Sequence, residues 1–487
     1  MDYREINKTR EQFNSGQWPK FLEMVEIDGL RSFTGQAINF KFPIVAIVGE
    51  NGTGKSTILK VAACAYENES SEGTYYPSTF FIQTHWDKIP DVILSFRIKQ
   101  GNQTHTFKIN KSSKRWSLPK KRYKRPVFIQ YISRTLPLDA TAGYAKIARS
   151  TAGEISTDSM SDDFTKRLSH ILSRNYSNAR FVQPDIDQKK EVGLLTREFG
   201  EISQFHQGAG EDATLDLFRV LQGIPQYSLL IIDEVESSKH PKAQRLLVRF
   251  LLWLCRQKKS QVILSTHSPY ILEELPKEAR ILLLPGKSEL NILYGISAEF
   301  AMSRLDDKVH PELNIFVEDR EAEILLREII ACKEDGADIL QRIKMIAVGP
   351  SNVVEMLGEL AYKDKLPKKS FGILDGDKEG GEGCLSLPGK EAPEFVVYND
   401  LKEANWPNIS ERFGIGAGRL FTYLEEAMLE PEHHKWNERV GDKILRSATS
   451  VWEILANQWC KACLKEPDRS LIVNTLNELL FWQESKL

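Results

Sequence analysis

Three short stretches carry residues whose types and spacing suit phosphate and metal chemistry. "GENGTGKST" (49–57) fits the pattern GxxxxGK[ST]. Its glycines allow successive backbone N–H groups to turn inward around phosphate oxygens. A helix opening near Lys55 adds the positive end of its dipole. In such a loop Asn51, Gly52, Gly54 and Thr57 line the phosphates, Lys55 reaches the β and γ positions, and Ser56 ligates Mg²⁺. "SLLIIDEVESSKHP" (228–241) is an apolar run ending in Asp233 and Glu234. These suit holding Mg²⁺ through water and polarising an attacking water, respectively. "QVILSTHSP" (261–269) is another apolar run and delivers His267. The ligand implied is ATP with Mg²⁺.

The third stretch, "FGILDGDKEG" (371–380), has a different chemistry. If the strand continues through it, residues i and i+2 share a face, so Asp375 and Asp377 are presented together. Two such carboxylates repel, and at least one pKa rises. A hard divalent ion, Mg²⁺ or Mn²⁺, relieves the conflict and keeps waters for a substrate phosphate. The fragment also reads as an Asp-Gly turn with a solvated neighbour. Upstream, "LNIFVEDREAEILLREII" is again an apolar run, ending in Glu318 and leading into a helix that carries Glu323.

The elements that must position these residues are strands followed by helices. Functional groups then fall at the C-terminal edge of a parallel sheet, where open α/β sheets bind ligands. The pattern predicts an α/β chain in three regions. Residues 1–305 form a P-loop ATPase domain with a β-rich and helical insertion at about 65–200. Residues 306–400 form a parallel α/β unit, and 401–487 a helical region rich in Trp and Leu. Within the insertion, "DVILSFRIK" and "THTFKIN" read as a hairpin turning at "QGNQ". No heptad run is present, which excludes a long coiled-coil arm.

With 487 residues, 41% hydrophobic, 27% charged and a net charge of −2, the composition is that of a globular protein. No apolar stretch approaches the roughly 20 residues needed to span a bilayer, and the polar N-terminus has no signal-peptide core. A cytoplasmic location without membrane contact is expected. The six cysteines are expected to be reduced packing residues, the lone CxxC of Cys460 and Cys463 included. Residues 108–125 hold nine Lys or Arg and no acid, with Trp116 and Tyr123 between them. That stretch reads either as a phosphate-contacting surface or as a solvated loop. His433 and His434 are adjacent, about 100° apart on an α-helix, and are expected at the surface or in packing rather than on one metal.

The first set of motifs resembles an ABC-type ATPase head of the SMC and DNA-repair kind. On that resemblance, Asp233-Glu234 with "SSKHP" corresponds to the Walker B and D-loop stretch, and His267 to the switch histidine. "SQFHQGAGEDATLDLFRVL" takes the place of the signature, with Gly208, Gly210 and Glu211 contacting nucleotide but without the usual serine. Dimerisation through the heads is implied, and the Q-loop glutamine is Gln83 or Gln130. The strand–Glu318–helix followed by strand–Asp375-Gly-Asp377, with "IAVGPSN" between, resembles a Toprim domain. The resemblance implies Glu318, Asp375 and Asp377 as metal ligands, with Glu323 and Glu379 as additional ones. It departs from the family's Glu-Gly at Glu318-Asp319. An ABC-type head followed by a Toprim domain resembles the OLD (overcoming lysogenization defect) family of ATP-dependent nucleases. That family implies metal-dependent cutting of DNA under ATP control, a homo-oligomer, a defence setting with a partner protein, and a catalytic lysine drawn from Lys390, Lys443 or Lys486. A switch that binds and releases a partner, with an inert Toprim domain, is the alternative.

Overall fold

A computed structural model describes residues 1–70, 73–89, 91–112, 115–131, 144–187, 190–286, 289–306, 308, 310–334 and 336–481. The chain divides into two compact units, Met1–Ala301 and Met302–Leu487.

The first unit is organised by a six-stranded sheet. Its order is Leu290–Tyr294, Arg280–Pro285, Ile44–Gly49, Gln261–Ser265, Leu229–Ile232, Val127–Gln130, and all neighbours are parallel except the first pair. Ile44–Gly49, Leu229–Ile232 and Gln261–Ser265 are buried along their whole length, as continuous apolar runs in a doubly covered parallel sheet must be. Helices Lys55–Ala63 and Pro241–Lys258 pack on this sheet.

The hairpin Val92–Gln100/Gln103–Lys111 forms as the sequence predicts, but it is not part of a self-contained insertion. It extends a four-stranded antiparallel sheet with Lys20–Leu30 and Phe33–Asn39, pairing Val25 with Phe96 and Ile27 with Leu94. The reason is burial. A lone two-stranded hairpin is marginal, and Leu94, Phe96 and Ile98 find cover only beside the N-terminal strands. A separate antiparallel sheet joins Glu154–Ser159, Asn178–Pro184, Val192–Arg197 and Gly200–Ser203.

The basic stretch 108–125 is neither wholly a solvated loop nor wholly a free cationic surface. Arg125 is fully buried; it donates to the carbonyls of Tyr227 and Ser228 and to Gln261, and lies over the Tyr66 ring. Arg122 donates to the carbonyls of Cys64 and Tyr66, and buried Lys111 to that of Ile89. Lys108, Arg115, Lys120, Lys121 and Lys124 are exposed, while Lys114 lies outside the described residues.

The second unit has a four-stranded, wholly parallel sheet in the order Ile343–Ala347, Leu313–Val317, Ser370–Leu374, Cys384–Ser386. One apolar cluster packs Val354 with Phe316, Leu374 and Cys384, bringing in helix Ser351–Tyr362. A larger one joins strand residues Leu313, Ile315 and Ile373 to helices Arg320–Ala331, Pro393–Glu403 and Ala448–Ala462. That cluster runs continuously to Leu480, so no structural boundary falls at residue 400. The C-terminal helices instead complete the core of the sheet. Trp452 is fully buried and donates to the carbonyl of Glu321. All six cysteines are free thiols, and no described helix is long and apolar enough to cross a membrane.

Trp452 ties the last helices to the helix that starts beside Glu318. Trp452→Ala should destabilise the second unit by about 3–5 kcal/mol, read as a lowered urea midpoint. Trp452→Phe should recover most of that loss. An Ala variant that unfolds like wild type would remove Trp452 from this role.

Candidate functional site

In the first unit the phosphate-binding loop lies between Ile44–Gly49 and Lys55–Ala63. Gly49, Gly52 and Gly54 have φ of 159°, 83° and 98°. A Cβ on Gly54 would come within 2.5 Å of the Phe33 ring, so space as well as φ demands glycine there. Lys55 is buried and donates to the carbonyls of Gly49 and Glu50, both at 2.9 Å. Burial lowers its pKa, against the raising influence of Glu234, Asp233 and Glu236.

The sheet brings the other motifs to the same edge. Ser56 donates to Asp233 at 3.3 Å, which places the two expected Mg²⁺ ligands side by side. Ser265 donates to the same carboxylate at 2.6 Å and accepts from the Glu234 N–H at 2.8 Å. Glu234 has φ of 47°, a left-handed conformation uncommon for a residue with a side chain. The His267 N–H donates to Glu236 at 2.6 Å, while Nε2 is buried with no hydrogen-bond partner. Burial, with Lys55 adding to it, lowers the His267 pKa, so the ring is neutral near pH 7. An orphaned imidazole nitrogen among Lys55, Asp233 and Glu234 fits a site that receives a triphosphate.

The sequence reading missed Glu236 and Ser265. Both lie within the quoted motifs, but their roles depend on pairing between strands. Of the two Q-loop candidates, Gln130 ends the strand beside Leu229–Ile232, and its carbonyl accepts from the Asp233 N–H at 2.8 Å. Gln83 instead meets Lys111 at 3.4 Å.

Gly208 caps the helix Ala209–Gly223. A Cβ on Gly210 would lie 2.4 Å from the Ser238 carbonyl, so the signature segment and the D-loop touch backbone to backbone. The Glu211 carboxylate is engaged by Tyr176 and Arg197 and lies 3.5 Å from the Gly208 N–H. These contacts hold the segment in shape.

Residues 44–273 match the family model described as "AAA domain, putative AbiEii toxin, Type IV TA system". That span, with the phosphate-binding loop described above, is an ATPase-type domain. The SMC head domain from Thermotoga maritima is similar at 14% identity and a TM-score of 0.35, covering 56% of this chain and 98% of that one. An Smc head domain from Pyrococcus furiosus, bound to the C-terminal domain of ScpA, is similar at 13% identity and a TM-score of 0.39, covering 58% and 98%. No curated protein matches.

In the second unit Leu313–Val317 and Ser370–Leu374 are parallel neighbours, so Glu318 and Asp375 leave the sheet side by side. The Asp375 N–H donates to the Glu318 carboxylate at 3.2 Å. Asp375 is 8% exposed, and its Oδ1 is buried with no hydrogen-bond partner. Burial first, then Glu318, Asp319, Glu394 and Asp377, push its pKa up to about 8. Burial likewise raises Glu318, which Asp377 and Asp319 push further. Gly349, at φ 102°, turns the chain after Ile343–Ala347, and its N–H binds the Glu318 carbonyl at 3.0 Å.

Several expected roles change here. The strand ends at Leu374, so Asp377 lies on the following turn and does not share a strand face with Asp375. It is exposed and pairs with Lys378 at 3.1 Å. Glu379 is exposed beyond it. Asp319 caps the helix Arg320–Ala331 by accepting from the Ala322 N–H at 2.8 Å, a structural use for the extra carboxylate. Glu323 is half-buried on that helix, and it is Glu321 whose pKa is raised by burial and by Asp319. Lys390 is exposed, Lys443 lies 5.8 Å from the centre of the Tyr423 ring, and Lys486 is outside the described residues. The lysine beside the acids is Lys378, which the sequence reading passed over. Glu394 was also missed; it is nearly fully buried and one of the charges acting on Asp375.

Two outcomes test these sites. Glu234→Gln should lower kcat for ATP hydrolysis by about 10²–10⁴-fold with nucleotide affinity retained, whereas Lys55→Ala should abolish nucleotide binding. Equal loss of binding in both would remove Glu234 from the chemical step.

A carboxyl whose folded pKa is raised binds its proton more tightly folded than unfolded. Stability is then highest below the unfolded value of 3.8 and falls as pH rises to about 8. In EDTA, Asp375→Asn should therefore be more stable than wild type at pH 8 by roughly 1–3 kcal/mol. The advantage should shrink toward pH 4. A pH-independent difference would contradict the burial of this charge.

Proposed function

We propose that this chain is an ATP-regulated, divalent-metal-dependent DNA endonuclease of the OLD type, working as a homo-oligomer through its ATPase heads. The observation that carries the reading is Asp375: a buried carboxylate facing Glu318, with Oδ1 unpartnered and acidic neighbours around it. Buried charge of one sign is costly unless an opposite charge compensates it. Two or three converging carboxylates with room for water suit Mg²⁺ or Mn²⁺.

Glu318 and Asp375 would hold such ions, and Asp377 would join them by exchanging its contact with Lys378. Bound divalent ions would supply an activated water and charge stabilisation for phosphodiester cleavage. The chain's own part is to fix the carboxylates. Strand pairing and the Asp375 N–H orient Glu318, while the cap at Asp319 starts the helix that begins beside it. Lys378 would offer a cation to the DNA phosphate. The exposed lysines and arginine of 108–125 would give the first unit a contact to the DNA backbone.

The exposed, lysine-paired Asp377 favours a second reading, in which the carboxylate site is inert and the ATPase head controls a partner protein. The toxin named in the family model's description suits either reading within a defence system.

The test is cutting of supercoiled plasmid with Mg²⁺ or Mn²⁺, with and without ATP. Wild type should nick or linearise it, Asp375→Ala should lose at least about 100-fold, and ATP hydrolysis should be unchanged in that variant. The ATP lanes give the sign of control. Absence of cutting with every ion and nucleotide, with ATPase intact, would sink the nuclease reading and support the switch.

A further inference from the structure

Residues 433–435 form a 3₁₀ turn, not an α-helix, and this overturns the expectation that the paired histidines diverge. Their ring centroids lie 3.9 Å apart, with 43° between the planes. His433 also rests against Phe395, at 4.9 Å between centroids. His434 Nδ1 lies 3.0 Å from Glu394 Oε1. Glu394 is the second residue of the helix Pro393–Glu403, and its side chain is 1% exposed. One ligand atom from each of Glu394, His433 and His434 falls within 4.8 Å of the others.

We propose that Glu394, His433 and His434 form a binding site for a borderline divalent transition ion of the Zn²⁺ class, distinct from the all-oxygen set of Glu318, Asp375 and Asp377. Two imidazoles and one carboxylate are the donors such ions prefer, and three protein ligands leave a coordination position open. With bonds of roughly 2.0 Å, tetrahedral donors sit about 3.3 Å apart. The set therefore needs a modest closure, which the 64% exposed His434 side chain is free to make.

The surroundings favour a cation. Asp319 acts on both Glu394 and His433, Asp377 acts on His433, and Glu321 is coupled to His434. The nearest lysine in sequence, Lys435, is occupied by Glu432 at 2.7 Å. A buried carboxylate in a field of acids gains more from a divalent ion than from one exposed imidazole. The proposal stands independently of the nuclease reading.

The experiment is calorimetric titration of the EDTA-treated, dialysed full chain with Zn²⁺, paired with visible absorption of the Co²⁺-loaded protein. Wild type and Asp375→Asn should each bind one Zn²⁺ tightly and give the intense bands of low-coordinate Co²⁺. His433→Ala combined with His434→Ala should weaken Zn²⁺ by at least about 100-fold, the upper end of what outer-shell changes alone cost. His434→Gln changes a side chain that is 64% exposed, and weakened binding with an unchanged thermal midpoint would exclude misfolding as the cause. Binding unaffected by the histidine changes but lost in Asp375→Asn would assign the ion to the carboxylates and overturn the proposal. Failure of wild type to bind would leave Glu394 and His434 as an ion pair, which also overturns it. Plasmid cutting that fails while Zn²⁺ still binds would count against the nuclease reading alone.

Discussion

Asp375 is a carboxylate that folding removes from water and surrounds with other carboxylates, and the second unit is built around that constraint. Each neighbour arrives on a different element: Glu318 at the end of the adjacent strand, Asp319 at a helix cap, Asp377 on a turn, Glu394 at the start of a later helix. Parallel pairing makes the convergence unavoidable, because the strands Leu313–Val317 and Ser370–Leu374 release their next residues at the same edge. The C-terminal helices then cover a flank of the sheet. Burial is accordingly the first cause of the shift at both Asp375 and Glu318. The fold sustains the repulsion with a large apolar core, in which Trp452, Tyr398 and Trp436 are anchors.

The first unit uses the same sheet geometry to the opposite electrostatic end. Lys55 is buried beside Asp233, Glu234 and Glu236, and its cationic head is held by two loop carbonyls. The acids there are not left to repel one another. Ser56 and Ser265 donate to Asp233, and the His267 N–H donates to Glu236. One left-handed residue, Glu234, turns the chain immediately after Asp233. Strain of that kind persists where surrounding bonds over-determine it, and the Ser265 hydroxyl on the Glu234 N–H is one of those bonds.

What could be read in the sequence was what is local. The phosphate loop, the Asp233–Glu234 strand end and Glu318 are each written within about ten residues, where strand, turn and helix signals are contiguous. The shared strand face of Asp375 and Asp377 did not form, because the pleat argument needs the strand to continue and it stops at Leu374. Asp319 reads as an N-cap three residues before Ala322, yet a metal context made it look like a spare ligand. Arg125 and Glu394 were beyond reach for a different reason. Their partners lie 102 and 40 positions away, at Tyr227 and His434, and only tertiary packing pairs them. The diverging histidines failed on helix type, since a 100° step holds for an α-helix and residues 433–435 take a tighter turn.

The contrast between the two edges decides where each kind of phosphate can go. A triphosphate brings its own negative charge and meets backbone N–H groups, a lysine and a neutral imidazole, which receive it directly. An anion approaching Asp375 would meet Glu318, Asp319, Glu394 and Asp377, the last already paired with Lys378. Ionised, these carboxylates would oppose an anion unless cations compensated them. On the proposed reading, metal dependence in the second unit would follow from this charge. On that reading the metal of the first unit would arrive with the nucleotide, beside Ser56 and Asp233, and that of the second would precede the substrate.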